Sequence, residues 1–309
     1  MKITGVLAAI GNTPLFELQR VRPHGGARVV VKLESANPTG SMKDRIGLAM
    51  VSAAAADGRL PPGGRVVEYT GGSTGMALAF VCAAAGYRCT LVSSDAFSEE
   101  KRAGMAALGA EVVIVPSDRK RITEALIREM IETARQLSAE ADTYWTDQLN
   151  NRDGEVGYHP LGEEIWAQTE GRVTAFVQSV GTAHSLLGTA DALRARRPDV
   201  RIVAVEPAES PILTEGRTGA HLIEGMGLGF VAPLWRAEAV DQVLAVSSAD
   251  AMAMARRLAR EEGLFAGTST GANVVAALRV AEGLAADAVV ATLAVDSGLK
   301  YMSTGLYSG

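Results

Sequence analysis

The chain has 309 residues, 48% hydrophobic and 21% charged, which suffices for one large or two medium domains with a real core and excludes a disordered segment. A formal net charge of -5 gives no basic footprint for nucleic acid. No apolar run reaches about 18 residues and the start lacks a leader pattern, so the expectation is a soluble cytoplasmic protein with no membrane partner.

Strands alternate with helices along the chain, which predicts an α/β fold with parallel sheets. Val29 to Leu33 reads as a buried strand, Asn37 to Gly40 as a turn, and a helix capped by Ser41 runs to about Asp57. Arg65–Tyr69 is a strand, Thr70–Gly75 a loop and Met76–Ala85 an apolar helix. Thr90–Ser93 is a strand, Ser98–Leu108 a helix, Glu111–Val115 a strand and Ile122–Leu137 an amphipathic helix. A short strand at 143–146 leads to the polar, turn-rich stretch Asp147–Tyr158, where a domain boundary is placed. Pro160–Thr169 is helical, and Ala175–Val180 is a strand that runs into Gly181–Ser185 and a helix to Arg196. Arg201–Val205 is a strand, 224–230 a loop, and Ala249–Gly263 a helix. Gly267–Ala272 opens a helix over Asn273–Glu282, and Val289–Ala294 is the last strand.

Three places carry chemistry. Lys43 sits at a helix start, where the macrodipole places partial positive charge. That potential, with partial burial, favours the neutral amine that attacks a carbonyl; a solvated surface lysine is the plain alternative, and spacing leaves both open. Residues 70–75 and 181–185 share a strand–small residues–helix pattern. Helix-start N–H groups and close backbone approach make such loops anion sites, with hydroxyls of Thr70, Ser73, Thr74, Thr182 and Ser185 as further donors. Ordinary loop punctuation explains either loop taken alone. Gly225–Gly229 follows no clear strand and lacks the third glycine of the dinucleotide fingerprint. His24, His159, His184 and His221 have no ligand-pair spacing, and Cys82 and Cys89 read as buried thiols, so no metal is expected. A helix-start lysine with two anion loops suggests a Schiff-base lysine, a pyridoxal 5'-phosphate loop and a substrate-carboxylate loop.

The motifs resemble the cysteine synthase and cystathionine β-synthase family of fold-type-II pyridoxal-phosphate enzymes. The resemblance spans nearly the whole chain. It rests on Ile10–Leu15, on Lys32–Glu34 with Asn37–Arg45, on Glu224–Gly227 with Phe230, on Gly267–Ala272, and on Ser297–Gly298 with Tyr301–Thr304. It implies two α/β domains, each a mostly parallel twisted sheet flanked by helices. One is a small mobile domain at 36–147. The other is a large cofactor-binding domain of 1–35 plus 148–309, with the cofactor in the cleft between them. It implies that Lys43 carries pyridoxal phosphate and moves the α-proton. Thr70, Gly71, Gly72, Ser73, Thr74 and Gln148 would bind the amino-acid carboxylate. Gly181, Thr182, Ala183, His184 and Ser185 would cradle the phosphate. Ser269 would meet the pyridine nitrogen, and Gly225 would line the nucleophile side. A homodimer is implied too. The chain ends soon after the Tyr301 motif, so no appended regulatory domain is expected.

Several positions depart from the family. Its substrate loop reads T-S-G-N-T-G, whereas this one has Gly71 and Ser73 at the second and fourth places. Ser73 would weaken a cofactor-ring contact made by the usual asparagine, or route it through water. The phosphate loop usually reads G-T-G-G-T; here Ala183 and His184 replace two glycines, so the backbone is expected to avoid positive φ. His184 either contacts the phosphate or a protein group, or points away. The residues after Gln148 are rebuilt. The expected activity is β-replacement on an activated L-serine (O-acetylserine or O-phosphoserine, with sulfide or another nucleophile) via an aminoacrylate. β-Elimination, as in a cysteine desulfhydrase or serine/threonine dehydratase, is the alternative. A non-catalytic binding protein is the third reading, opposed by Lys43, Ser269 and the loop hydroxyls.

Overall fold

The computed structural model describes residues 1, 3–22, 26–119 and 123–307. His24 and Ile122, the expected start of the amphipathic helix, lie outside the described residues. The strands are β1 Leu15–Glu17, β2 Arg28–Lys32, β3 Arg65–Tyr69, β4 Arg88–Ser94, β5 Glu111–Val115, β6 Thr143–Trp145, β7 Val173–Ser179, β8 Arg201–Pro207, β9 Gln242–Val246 and β10 Val289–Leu293. The α-helices are α1 Lys43–Asp57, α2 Ser73–Ala85, α3 Glu99–Ala107, α4 Glu124–Leu137, α5 Asp153–Val156, α6 His159–Gln168, α7 His184–Arg196, α8 Ile212–Glu215, α9 Ser248–Arg257 and α10 Thr268–Glu282. The chain forms two compact units: Met1–Ile10 with Asn37–Gly157, and Gly11–Ala36 with Tyr158–Gly309.

The first unit holds a parallel sheet in the order β5-β4-β3-β6. Its central strand reads RVVEY and is buried from Val66 onward, as a parallel strand covered on both faces should be. The chain steps from β3 to β4 to β5, then crosses back past β3 to β6. Right-handed crossovers therefore put α4 on the opposite face from α2 and α3. Helix α2 buries nearly its whole circumference, whereas α4 buries only Leu126, Met130 and Ala134 at helical spacing. The direction of travel reverses at β3, and ligands in open α/β sheets bind beyond strand ends at such a point.

The second unit repeats the device. Its sheet runs β1-β2-β10-β7-β8-β9, parallel except for the β1–β2 pair. Travel goes from β7 to β8 to β9 and then returns to β10 on the other side of β7. Val29, Val31, Val177, Val205 and Val290 form its core with Val274, Ala277 and Ala281 of α10. The Gly11–Leu15 and Lys32–Glu34 motifs meet here. Lys32 is fully buried and pairs with Glu164 at 2.6 Å, Thr13 Oγ1 donates to Glu34 at 2.7 Å, and the Asn12 N–H donates to Glu164 at 3.0 Å. These motif residues therefore tie the 11–15 segment and the end of β2 to α6.

Candidate active site

Lys43 is the first residue of α1 and is half-buried. The residue at the cap position is Met42 rather than Ser41, and it makes no side-chain cap. Ser41 still contributes, because its Oγ accepts the Lys43 N–H at 3.2 Å. Asp44 fixes the preceding turn: its carboxylate accepts the Thr39 N–H at 2.7 Å and the Thr39 hydroxyl. An acidic residue in the first turn also suits the helix dipole. Lys43 is thus held at the start of a helix whose entry turn is locked.

The Thr70–Gly75 loop lies in the same unit, running from the end of β3 into the first turn of α2. Ser73 and Thr74 already belong to the first turn of α2, three residues earlier than its apolar periodicity predicts, so their N–H groups are helix-start donors. Thr70 Oγ1 accepts N–H groups of Gly72 at 2.9 Å and Gly75 at 3.1 Å, which folds the loop back on itself. Thr74 Oγ1 donates to Gln148 Oε1 at 2.9 Å, and Gln148 Nε2 donates to the Tyr69 carbonyl at 2.9 Å. The structure therefore brings Gln148, 74 positions away in sequence, onto the loop.

The two unusual glycines have different causes. Gly72 has φ of 140°, which a side chain rarely tolerates, and Lys101 of α3 packs against it. Gly71 is set by space: a Cβ there would lie 2.9 Å from Cε1 of Phe97, so the aromatic ring fills the room a side chain at 71 would need. Ser73 is half-buried at the first position of α2.

Beneath this loop lies Glu68, fully buried. Its carboxylate accepts the N–H groups of Tyr69 and Gln148, each at 2.9 Å, and the Thr146 hydroxyl at 2.5 Å. Burial pushes its pKa up to about 7, against those hydrogen bonds, and nearby Asp147 raises it further. Burial likewise raises the Tyr69 phenol. The sequence reading missed both Glu68 and Phe97. Glu68 had a signal, a charged residue inside an apolar run of strand; Phe97 had none.

In the second unit, Gly181 follows β7, and Ala183 caps α7, which begins at His184. Ala183 has φ of 72° and ψ of -15°, so the expectation that this loop avoids positive φ is wrong. A left-handed residue before a helix turns successive N–H groups to one side, which forms an anion nest. That geometry is kept despite a Cβ that disfavours it. His184 is buried and its Nδ1 lies 2.9 Å from Thr182 Oγ1, so of the two readings it contacts a protein group within the loop. Ser185 Oγ accepts from Gln178 Nε2 at 3.0 Å, and Gln178 Oε1 accepts from Asn273 at 2.7 Å. The Ser185 hydroxyl proton can therefore point outward as a donor.

The remaining expected residues lie in this unit as well. A Cβ on Gly181 would come within 2.7 Å of the Gly225 carbonyl oxygen, so glycine permits these two backbones to touch. Gly225 itself has φ of 87°. Ser269 is buried in the first turn of α10, which starts at Thr268 rather than at Asn273. Neighbouring hydroxyls fix that turn: Thr268 Oγ1 accepts the Glu224 N–H at 3.1 Å, and Thr270 Oγ1 accepts the Val295 N–H at 3.0 Å. A nest of N–H groups, an outward hydroxyl and a buried serine at a second helix start fit a phosphate and a neutral pyridine nitrogen. Among the described residues, no cluster of His, Cys, Asp and Glu could hold a metal, and no helix is long and apolar enough to cross a membrane.

A cysteine synthase of Staphylococcus aureus strain N315 is 39% identical over 308 residues, covering 99% of this chain and 97% of that protein. Isoform 3 of O-acetyl serine sulfhydrylase from Entamoeba histolytica superposes with a TM-score of 0.91 at 34% identity, covering 99% of this chain and 91% of the other. The O-acetylserine dependent cystathionine β-synthase from Helicobacter pylori also gives 0.91 at 34% identity, covering 99% of both chains. The sequence model for pyridoxal-phosphate dependent enzymes matches residues 6–296, and this chain belongs to that family.

Proposed function

We propose that the chain catalyses β-replacement on an activated L-serine, with O-acetylserine or O-phosphoserine as donor and sulfide or another small nucleophile as acceptor. The observation that carries this reading is the full-length similarity to a cysteine synthase. Pyridoxal phosphate, when bound, supplies the electron sink that acidifies the donor's α-carbon and lets the β-substituent leave. Lys43 holds the cofactor and then moves the α-proton as the general base at the start of α1. Thr70, Gly71, Gly72, Ser73, Thr74 and Gln148 hold the donor carboxylate through helix-start N–H groups and the Gln148 amide. Gly181, Thr182, Ala183, His184 and Ser185 would hold the phosphate, and Ser73 would contact the cofactor ring. Ser269 meets the pyridine nitrogen with a neutral hydroxyl, which leaves that nitrogen unprotonated. Gly225 lines the path of the nucleophile.

In this reading the 36–147 domain carries the Thr70–Thr74 part of the donor site, and 1–35 with 148–309 carries Gln148 and the phosphate loop. The enzyme is a cytoplasmic homodimer, which light scattering would test. A second reading, β-elimination, keeps one point in its favour: Ser73 lacks the amide that the family places there. Mixing the enzyme with each donor, with and without sulfide, decides between them. Cysteine that appears only with sulfide supports replacement; pyruvate released at one rate in both conditions overturns it.

A further inference from the structure

We propose that Glu68 is a positioning residue for donor binding: it sets the Gln148 amide and the Thr70–Gly75 loop in the geometry that receives the donor's carboxylate. This rests on the carboxylate-loop reading above and adds a residue that touches neither donor nor cofactor.

Two short segments must stay in register, the end of β3 at Tyr69 and the turn after β6 at Gln148. Strand pairing stops at Val67 and Trp145, so the ladder no longer ties them together. Beyond it, the Thr146 N–H and hydroxyl reach the Val67 carbonyl at 3.1 and 3.5 Å, Gln148 Nε2 reaches the Tyr69 carbonyl, and Glu68 supplies the other three bonds. One oxygen accepts from the Tyr69 N–H; the other accepts from the Thr146 hydroxyl and the Gln148 N–H. Glu68 thus fixes the Gln148 backbone, while Gln148 Nε2 reaches Tyr69 and Oε1 reaches Thr74. Each Gln148 amide atom then has one bond inside the unit, leaving the second Nε2 proton to point at a ligand. A buried carboxyl group is costly to retain, and the two oxygens of Glu68 take up three protein donors at this one point. Holding a ligand-binding side chain by a partner behind it is a familiar means of preorganisation.

The test compares wild type with Glu68→Ala and Glu68→Gln holoenzymes. The readouts are thermal melting, the visible band of the lysine-bound cofactor, kcat and KM for the donor, and calorimetric Kd values for L-serine and L-serinamide. The expected result for Glu68→Ala is a folded, yellow enzyme. Its donor KM rises about 30-fold and L-serine binding weakens equally, while kcat and L-serinamide binding change less than threefold. Glu68→Gln keeps an acceptor for Gln148 and Thr146 but turns an amide N–H against the Tyr69 N–H, so it should show an intermediate loss: about fivefold weaker L-serine binding with L-serinamide binding unchanged. Unchanged L-serine binding in a folded Glu68→Ala enzyme overturns the proposal, as does equal loss of serine and serinamide binding. If Glu68→Ala does not fold, Glu68→Gln carries the test alone: a serine-to-serinamide preference equal to wild type overturns it. The two Kd values do not require turnover, so a wild type that binds serine but makes no cysteine refutes β-replacement and leaves this proposal standing.

Discussion

The loop after β3 and the loop after β7 occupy the same topological position, yet they meet their demands in opposite ways. The first relies on packing: Phe97 fills the space beside Gly71, Lys101 closes over Gly72, and a buried carboxylate lies underneath. The second relies on backbone conformation: Ala183 is left-handed, Gly181 touches Gly225, and the side chains underneath are the neutral amides of Gln178 and Asn273. The charge difference is intelligible. A dianionic phosphate above a buried anion would suffer repulsion at low dielectric, whereas a single carboxylate over a group that titrates near neutrality does not face a fixed charge. Similar topology therefore does not imply similar chemistry below the loop.

The largest test of this contrast is pH. The Glu68 pKa is about 7 in the fold and 4.5 as a model group. The folded state thus holds its proton after the unfolded chain has released its own. The group's contribution is complete below pH 4.5 and is lost as pH rises through 7, by on the order of 3 kcal/mol. Chemical denaturation at pH 5 and pH 8 should show this loss in wild type and a flatter profile in Glu68→Gln. No matching effect is expected from the amides under the other loop. Next in size, Gly181→Ala drives a methyl group into the Gly225 carbonyl and should weaken pyridoxal-phosphate affinity about 100-fold, measured by cofactor titration. Retained affinity would mean the two backbones are free to separate.

Gly71→Ser should raise donor KM about 10-fold while leaving cofactor affinity unchanged, and Phe97→Ala in the same chain should recover most of it. Additive effects would show that the ring and the loop are uncoupled. The smallest expected change has the opposite sign: Ala183→Gly relieves a left-handed alanine and should stabilise the protein by about 1 kcal/mol in a denaturant melt. A destabilised variant would mean the Ala183 methyl is held by favourable packing.

The α/β class was legible because β2, β3, β7 and β10 are short, mostly apolar, valine-rich runs between turn residues. The Lys43, Thr70 and Gly181 loops were legible because small residues cluster where strand gives way to helix. Strand β9 was not, since it is an edge strand with only Val246 buried and its alternation is weak. The start of α2 at Ser73 was hidden because residues with poor helix propensity form its first turn. The left-handed Ala183 contradicts the usual conformational rule for alanine, so only its surroundings could reveal it. Phe97 could not be found because its partner, Gly71, has no side chain and the contact depends on how α3 is placed.

The order of strands in the second unit has a consequence for biogenesis. Strand β10 lies between β2 and β7, so β2 leaves the ribosome long before the strand that must pair with it. Only the short β1–β2 hairpin can form early, and its other edge stays open while the four-stranded unit is synthesised. That sheet closes only after Val289–Leu293 emerges, which makes its central pairing a late, long-range event during translation. An open edge of apolar strand is where a nascent chain most needs protection from its neighbours.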